Sequence, residues 1–489
     1  MPEEVVRGFR LFFSLCLALA VTTASAQRIG CLVHGDRGMT RGDDDLLPDP
    51  IDFDPQKTYR LPIVLVSFSD VDFSMSDPKS YYQRVFNEQG YNEGAGLGCM
   101  ADYFRDQSNG RLNFQFDVYG PYKVSQKAGG HGRYYYGADV MSEAVKLLNE
   151  TESTDFAIYD WDGDGEVNQI FFVSAGYGGN LVAGYIWPNS QTLDVKLPGD
   201  RTPYFCSIAN ELWKDGSLNG FATVAHEICH GLGLPDIYPL GEATAFSAVD
   251  EWDLLDGGNC TNKSWCPPNL SAMEKKYLGW DQPEELVQST SITGMQSVSK
   301  GGKTYLIRCS DNSDEYYLLE NHQQDGWDYG SPGKGLLIIH VDYSTYSWKN
   351  NEVNVSDTHY RYDLSHADGK DYIAWDPNNN GKDPNKWTMP NCLRNIYLST
   401  SPYPYGDNRS VAINSSDVIT NITQAADGTI SFDLIRESSA IHSPSVETEP
   451  VAYYDLKGYL LPGLPLNPGV YIIQYADGST KKIVHKSLK

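Results

Sequence analysis

The segment "TVAHEICHGLGLPDIY", residues 223–238, is the feature that most constrains how this chain can fold. His226 and His230 are four residues apart, so a helix places both imidazoles on one face. Two imidazole nitrogens on one face can bind a shared zinc ion at roughly 2.0–2.1 Å. Gly231 and Gly233 then permit positive φ angles, and a proline follows two residues later. The pattern predicts a zinc-binding helix that ends immediately after its second histidine.

Two further roles follow from the same segment. Glu227 lies one residue round the helix from His226, too far to be a direct ligand, but it can act as general base on a metal-activated water. A catalytic zinc site needs a third protein ligand and an open position. We expect Asp236 to be that ligand, because the break in the helix lets the chain double back beneath the metal. Glu251, in "DEWDLL", is the alternative third ligand.

A second motif, "DWDGDGEVN", spans residues 160–168. It places Asp160, Asp162 and Asp164 at alternate positions, with Glu166 close behind and a glycine that allows a sharp turn. Hard oxygen ligands at this spacing suit calcium. The motif is not a complete EF-hand, because a phenylalanine occupies the position of the bidentate glutamate. We expect a structural calcium site, with a solvated acidic turn as the alternative.

The charge of the chain excludes one broad class of function. Its 489 residues carry a formal net charge of −26. Proteins that bind nucleic acid use clustered Lys and Arg to neutralise phosphates and release counterions. No nucleic-acid partner is therefore expected. Residues 1–26 combine arginines, a short apolar run and "ASA", which is typical of a signal peptide. We therefore expect a secreted protein, located outside the cell or at its surface.

The length predicts more than one domain. Residues 27–57 are rich in Gly, Asp and Pro and are interpreted as a leader or propeptide. Strand and helix patterns alternate over 58–290, the predicted catalytic domain, whereas 291–436 contain mainly strand patterns. The remaining segments are a polar linker at 437–450 and a small β module at 451–489. The fold class expected is α+β.

Eight cysteines remain after the predicted signal peptide, which permits disulfides in an exported chain. Cys260 and Cys266 flank a short loop and could close it. Cys229 lies inside the histidine helix and is expected to be a free thiol in the core. A zymogen is expected, and either Cys31 or the aspartates at 43–45 could cap the zinc in the precursor.

The pattern His-Glu-x-x-His-x-x-Gly-x-x-Asp resembles that of the metzincin-like zinc endopeptidases. The flanking stretches resemble the immune-inhibitor-A family of secreted bacterial metalloproteases, over roughly residues 57–436. These stretches include "MADYFRDQSNGRLNFQFDVYGPY", "YDWDGDGEVNQIFFVSAGYG", "HEICHGLGLPDIY", "NLSAMEKKYLGW" and "GLLIIHVDY". The resemblance implies a zincin catalytic domain, a twisted sheet over an active-site helix. By position it implies zinc binding by His226, His230 and Asp236, with Glu227 as base.

This chain departs from the family pattern at two positions. Leu255 stands where the family usually has a methionine that forms a hydrophobic floor beneath the zinc, and leucine has a similar volume. Asn189 stands where a histidine is expected, and the sequence suggests no role for it.

We therefore expect a monomeric, secreted zinc endopeptidase that acts on proteins or peptides. The alternative is a degenerate zincin that binds glycan or protein at the cell surface, which Leu255 would favour. An exopeptidase would need a charged clamp for a peptide terminus, and none is identifiable. The tail "YDLKGYLL…GVYIIQYADGSTKKIVHK" resembles carboxy-terminal sorting tails of exported proteins, so export machinery is a possible partner.

Overall fold

The computed structural model describes residues 33–34, 46–132, 134–240, 248–309, 314–356, 359–369, 399–436, 450–455, 460–461, 469–475 and 480–485. The signal peptide, most of the leader and nearly all of the linker predicted from the sequence lie outside these residues. The chain divides into two compact units, Met1–Ile435 and Arg436–Lys489.

A six-stranded mixed sheet forms the centre of the first unit, in the order β1-β5-β6-β4-β2-β3. Its strands are β1 (Val33–His34), β2 (Tyr59–Ser67), β3 (Phe114–Lys123), β4 (Val167–Tyr177), β5 (Asn189–Gln191) and β6 (Pro203–Leu212). Strands β2, β3, β4 and β6 run parallel to one another, β5 is antiparallel to β6, and β1 is parallel to β5.

Helices cover both faces of this sheet. They are α1 (Pro78–Asn87), α2 (Met100–Gln107), α3 (Ala138–Thr151) and α4 (Ala222–Gly231). Successive side chains of β2 point to opposite faces. Leu61, Ile63 and Leu65 pack in a core with residues of α1, α2 and α4, whereas Val64 and Val66 pack in a core with α3. Burial on both faces explains why the central strands are continuous apolar runs rather than alternating ones.

Two smaller sheets follow in the same unit. The first has the order β12-β11-β10-β9-β7 and the second β13-β14-β15-β8. Their strands are β7 (Glu284–Glu285), β8 (Thr290–Met295), β9 (Tyr305–Arg308), β10 (Glu315–His322), β11 (Gly335–Asp342), β12 (Tyr362–Leu364), β13 (Val411–Ala412), β14 (Asp417–Gln424) and β15 (Ile430–Arg436). Two short helices belong here, α5 (Ala272–Tyr277) and α6 (Thr345–Lys349).

The five-stranded sheet contributes to the same core as the histidine helix. Leu318 of β10 and Leu337 of β11 lie in one apolar cluster with Ala225 and Ile228 of α4. The opposite face packs on the four-stranded sheet, where Ile338 meets the cluster that holds Phe432. The predicted β-rich segment therefore shares a core with the predicted catalytic segment. The domain boundary predicted between residues 290 and 291 stays a prediction.

The second unit contains a four-stranded antiparallel sheet in the order β17-β16-β18-β19. Its strands are β16 (Pro450–Asp455), β17 (Leu460–Leu461), β18 (Gly469–Tyr475) and β19 (Thr480–His485). Mixed sheets with few helices are compatible with the expected α+β class. Among the described residues there is no helix with the length and apolar character needed to cross a bilayer.

Candidate metal centre

Helix α4 presents His226 and His230 on one side, one turn apart. All ten residues of the helix are buried, and the two imidazole rings lie 5.0 Å apart, centroid to centroid, and nearly perpendicular. No side chain caps its first turn, but the Ala222 N–H donates to the carbonyl of Ser264 at 2.8 Å. The helix is therefore held in place by tertiary contacts rather than by an exposed cap.

The helix ends in a Schellman motif. The N–H of Gly233 donates to the backbone carbonyl of His230, and the N–H of Leu234 donates to that of Cys229. Gly233 has φ +99°, in the left-handed region that favours glycine. Gly231 is the last helical residue and does not use the positive φ that the sequence interpretation allowed it. It is required for space instead, because a Cβ there would lie 2.4 Å from Oε1 of Gln169.

The turn returns the chain beneath the two histidines and brings Asp236 to them. Oδ1 of Asp236 lies 3.2 Å from Nε2 of His226 and 3.4 Å from Nε2 of His230, and all three residues are fully buried. None of these three atoms has a hydrogen-bond partner among the described residues. Buried polar atoms without partners are costly, so convergence of three of them is typical of ligands placed around a cation.

Hydrogen bonds at the far side of each group fix its orientation. Nδ1 of His226 donates to the carbonyl of Leu254 at 2.7 Å, and Nδ1 of His230 donates to that of Leu234 at 2.8 Å. A carbonyl only accepts, so Nδ1 of each ring carries a proton, and in the neutral ring the lone pair of Nε2 points inward. Oδ2 of Asp236 accepts from Nδ2 of Asn351 at 2.8 Å. Such partners are characteristic of metal-binding histidines and carboxylates.

The charges of the three groups shift one another's pKa values. Burial lowers the pKa of His230, but the carboxylate of Asp236 more than offsets this and raises it to about 9. Burial raises the pKa of Asp236, yet the two imidazoles hold it well below its usual range. The carboxylate is therefore ionised in the folded protein and creates a negative potential at the inward-facing nitrogens.

Glu227 lies beside this group, with Oε2 at 4.0 Å from Nε2 of His230. Its Oε2 accepts a hydrogen bond from the Ser190 hydroxyl at 2.8 Å. Ser190 is not among the site residues predicted from the sequence. The only signal for it was a polar residue in the buried stretch "IWPNSQ". The neighbouring Asn189 donates to the carbonyls of Tyr136 and Trp187, so its role is to hold the backbone around β5.

The "WDLL" segment lies beneath the site. The Leu254 carbonyl accepts from His226, as described above. The carbonyl of Leu255 accepts from the N–H of Ile237 at 2.9 Å, which anchors the segment that carries Asp236. The Leu255 side chain is fully buried in the core that includes α4. Glu251 is buried in the preceding 3₁₀ turn, Asp250–Trp252, but its carboxylate does not join the three-residue group.

Part of the segment predicted as leader lies against this site. The N–H of Leu47 donates to the carbonyl of Lys349 at 2.9 Å, and the Lys349 ammonium lies 2.8 Å from Asp49. At Gly233 a Cβ would be 2.6 Å from the carbonyl oxygen of Pro48. This short stretch therefore packs on the turn that carries Asp236 and on the end of α6.

Asp160, Asp162 and Asp164 also form a group, with one oxygen of each within 4.8 Å of the others. Glu166 does not join it. The Asp160 carboxylate accepts hydrogen bonds from the N–H groups of Gly163 and Gly165, at 2.7 and 2.9 Å. These bonds close the loop that carries the three aspartates.

The prediction that a disulfide joins Cys260 and Cys266 is wrong, because the structure has no bond between them. Cys266 is a thiol that donates to the carbonyl of Ala95 at 3.7 Å and accepts from Nδ2 of Asn262. Cys229 is a buried free thiol, as expected, and burial raises its pKa well above the usual range. Cys31 and the aspartates at 43–45 lie outside the described residues, as does Cys392.

Buried imidazoles and a carboxylate around one point, beside a glutamate, are the donor set of a metal-dependent hydrolase. Comparison with known proteins agrees with this class. The chain is 22% identical over 315 residues to the pre-pro-metalloprotease PrtV of Vibrio cholerae, covering 54% of this chain and 34% of that protein. It is 23% identical over 309 residues to immune inhibitor A of Bacillus thuringiensis subsp. alesti, covering 50% and 45%.

The chain thus spans between a third and a half of the length of these curated relatives. No protein-family model matches it. This distant likeness supports a protease function of the bacterial metalloprotease kind, and it implies a metal in the site.

Proposed function

We propose that this protein is a secreted zinc-dependent endopeptidase in which Glu227 acts as general base. The observation that carries the proposal is the convergence of Nε2 of His226, Nε2 of His230 and Oδ1 of Asp236, all buried and without hydrogen-bond partners. The relatives named as metalloproteases support the same reading.

The residues present fit zinc. Two neutral imidazole nitrogens and one carboxylate oxygen are its preferred protein donors, and three protein ligands leave one position open for chemistry. Each Nδ1 donates to a backbone carbonyl, which leaves Nε2 as the metal-binding nitrogen once the ring is neutral. His226, His230 and Asp236 would therefore hold the ion.

A bound zinc ion supplies Lewis acidity, which makes a water molecule more acidic and polarises a peptide carbonyl. Glu227 accepts the proton of the attacking water and passes it to the leaving amine, which requires a carboxylate next to the metal-binding atoms. Oε2 of Glu227, 4.0 Å from Nε2 of His230, satisfies that requirement. The buried surroundings strengthen each of these electrostatic interactions.

The test is digestion of an unfolded protein and of a long peptide blocked at both ends. Wild-type mature chain is compared with Glu227→Gln and with Glu150→Gln, an exposed glutamate on α3. We expect internal cleavage by the wild type and by Glu150→Gln, and loss of cleavage in Glu227→Gln while zinc remains bound. Zinc content is measured on each sample.

Other outcomes select the alternatives. If the wild type removes residues only from unblocked ends, the protein is an exopeptidase. If wild-type protein with bound zinc and a removed leader cleaves nothing, the endopeptidase proposal fails. The degenerate zincin that binds glycan or protein would then be the function to test.

We also propose a structural calcium ion at Asp160, Asp162 and Asp164, supported by the clustering of their carboxylates. Added calcium should raise the Tm of zinc-loaded protein, and Asp162→Asn should reduce that increase. An equal increase in the variant would assign the effect to another place in the protein.

The remaining expectations belong to the same proposal. They are synthesis as a zymogen, secretion, action as a monomer on proteins or peptides, and use of residues 451–489 by export machinery. Deletion of 451–489 should leave the protein inside the producing cell, as measured by the amount in culture medium.

A further inference from the structure

Three polar side chains lie between the central sheet and α4. They are Gln169 on β4, Ser190 on β5 and Ser207 on β6, and each is fully buried. Ser190 and Ser207 are direct partners in the pairing of β5 with β6. Burying three polar groups is costly unless each is hydrogen-bonded, so their arrangement demands an explanation.

The hydrogen bonds among them run in one direction. Nε2 of Gln169 donates to the Glu227 carbonyl at 2.8 Å and to Oγ of Ser207 at 2.7 Å. The carbonyl can only accept, which fixes the amide orientation and uses both amide hydrogens. Ser207 thus accepts from Gln169 and keeps its own hydrogen for Ser190, whose Oγ is 2.7 Å away.

Ser190 then has its single hydrogen available for Glu227. Its Oγ lies 2.8 Å from Oε2 of that residue and 3.3 Å from its backbone carbonyl, so the shorter bond, to the carboxylate, takes the hydrogen. The chain of donors therefore runs from Gln169 through Ser207 and Ser190 to Oε2 of Glu227. That oxygen is also the one 4.0 Å from Nε2 of His230.

We propose that Ser190 is a positioning residue for the general base, and that Ser207 and Gln169 orient its hydroxyl. This rests on the proposed function of Glu227. Ser190 fixes the carboxylate in the rotamer that faces the metal-binding atoms, and Gln169 fixes the backbone of the same residue through its carbonyl. One glutamate is thereby held at two points by three neighbouring strands. Such support from rigid elements is what accurate placement of a reacting group requires.

The experiment compares the steady-state kinetics of Ser190→Ala, Ser190→Thr and Ser207→Ala with wild type on one peptide substrate. Ser174→Ala is the matched control, because Ser174 is a buried serine of β4 that donates to the carbonyl of Ala209 instead. We expect Ser190→Ala to lower kcat about 10- to 100-fold. Its KM, zinc content and Tm should stay close to those of Ser174→Ala.

Ser190→Thr keeps the hydroxyl and should restore most of kcat. Ser207→Ala should lower kcat by a smaller factor at unchanged KM, because Ser190 loses only its orienting donor. The kcat of Ser207→Ala tests the proposal if Ser190→Ala does not fold.

The proposal is overturned if Ser190→Ala keeps kcat within twofold of wild type, or if Ser207→Ala changes nothing. Loss of zinc with no rescue by threonine would also overturn it, since the role would then be structural. Failure of the proposed function looks different. In that case the wild type itself does not cleave, or Glu227→Gln cleaves as well as wild type.

Discussion

Asn351 makes two hydrogen bonds to Asp236, one to each end of the residue. Its Oδ1 accepts from the Asp236 N–H at 2.6 Å, and its Nδ2 donates to Oδ2 at 2.8 Å. Asn351 is fully buried and has φ +56°, a left-handed conformation that asparagine tolerates better than most residues. It therefore fixes the oxygen that remains, Oδ1, toward the histidines.

From this relationship we predict that Asn351→Gly weakens zinc binding by about 10- to 100-fold, the usual cost of losing an outer hydrogen-bond partner of a ligand. Glycine is chosen because it accepts the positive φ without strain. Zinc affinity is measured by competition with a chelator. Asn350→Gly, a change at the partly buried neighbouring residue whose amide donates to the carbonyl of Tyr346 instead, is the control and should bind zinc like wild type. Equal affinity in the two variants would contradict the prediction.

The third ligand can be identified by two amide substitutions. Asp236→Asn should reduce zinc affinity at least as much as loss of an outer partner does, that is by about 100-fold or more. Glu251→Gln should leave zinc affinity close to wild type, because its carboxylate does not join the His226 and His230 group. Both variants are compared by the same chelator competition. The reverse ranking would make Glu251 the ligand.

Leu255 offers a test of the hydrophobic floor that the family resemblance implies at this position. We predict that Leu255→Met changes the free energy of unfolding by less than about 1.5 kcal/mol, because the volumes are similar. Leu255→Ala should cost about 2–5 kcal/mol, since the side chain is fully buried. Urea unfolding of the zinc-loaded protein measures both. The kcat of Leu255→Met is measured separately, and a tenfold rise would show that leucine at this position weakens activity.

The pH dependence of stability should contain a contribution from His322. Burial lowers the pKa of this histidine, but Asp328 and Glu320, at 2.8 and 3.3 Å, raise it to about 10. A raised pKa means that the folded state binds the proton more tightly. The stabilisation is complete below about pH 6.5, the unfolded value, and is lost as pH rises through about 10.

We therefore predict that the free energy of unfolding of wild type falls between pH 7 and 10 more steeply than that of His322→Gln. The difference should be at most about 1.4 kcal/mol per pH unit, the limit for one proton. Denaturant unfolding at several pH values measures it. The comparison variant is His359→Gln, at a half-exposed histidine whose ion pair is screened by solvent, so its loss should change the slope less than loss of His322 does. Identical slopes in all three proteins would refute the assignment to His322.

The sequence alone determined the local part of the site. The i, i+4 spacing of His226 and His230 and the glycine at Gly233 depend on backbone geometry within one or two helical turns. Residue types encode such geometry directly, through helix periodicity and the tolerance of glycine for positive φ. The same holds for the buried strands, whose apolar runs were sufficient to place β2 and β4.

Only the tertiary structure decided what surrounds that local part. Asn351 is 115 positions from Asp236, and Ser190 and Gln169 reach Glu227 across β5 and β4. Sequence spacing predicted a disulfide at Cys266, yet packing leaves it a thiol. Contacts of this kind depend on which strands pair and which faces meet. Those choices are settled by burial of the whole core, and no short pattern contains them.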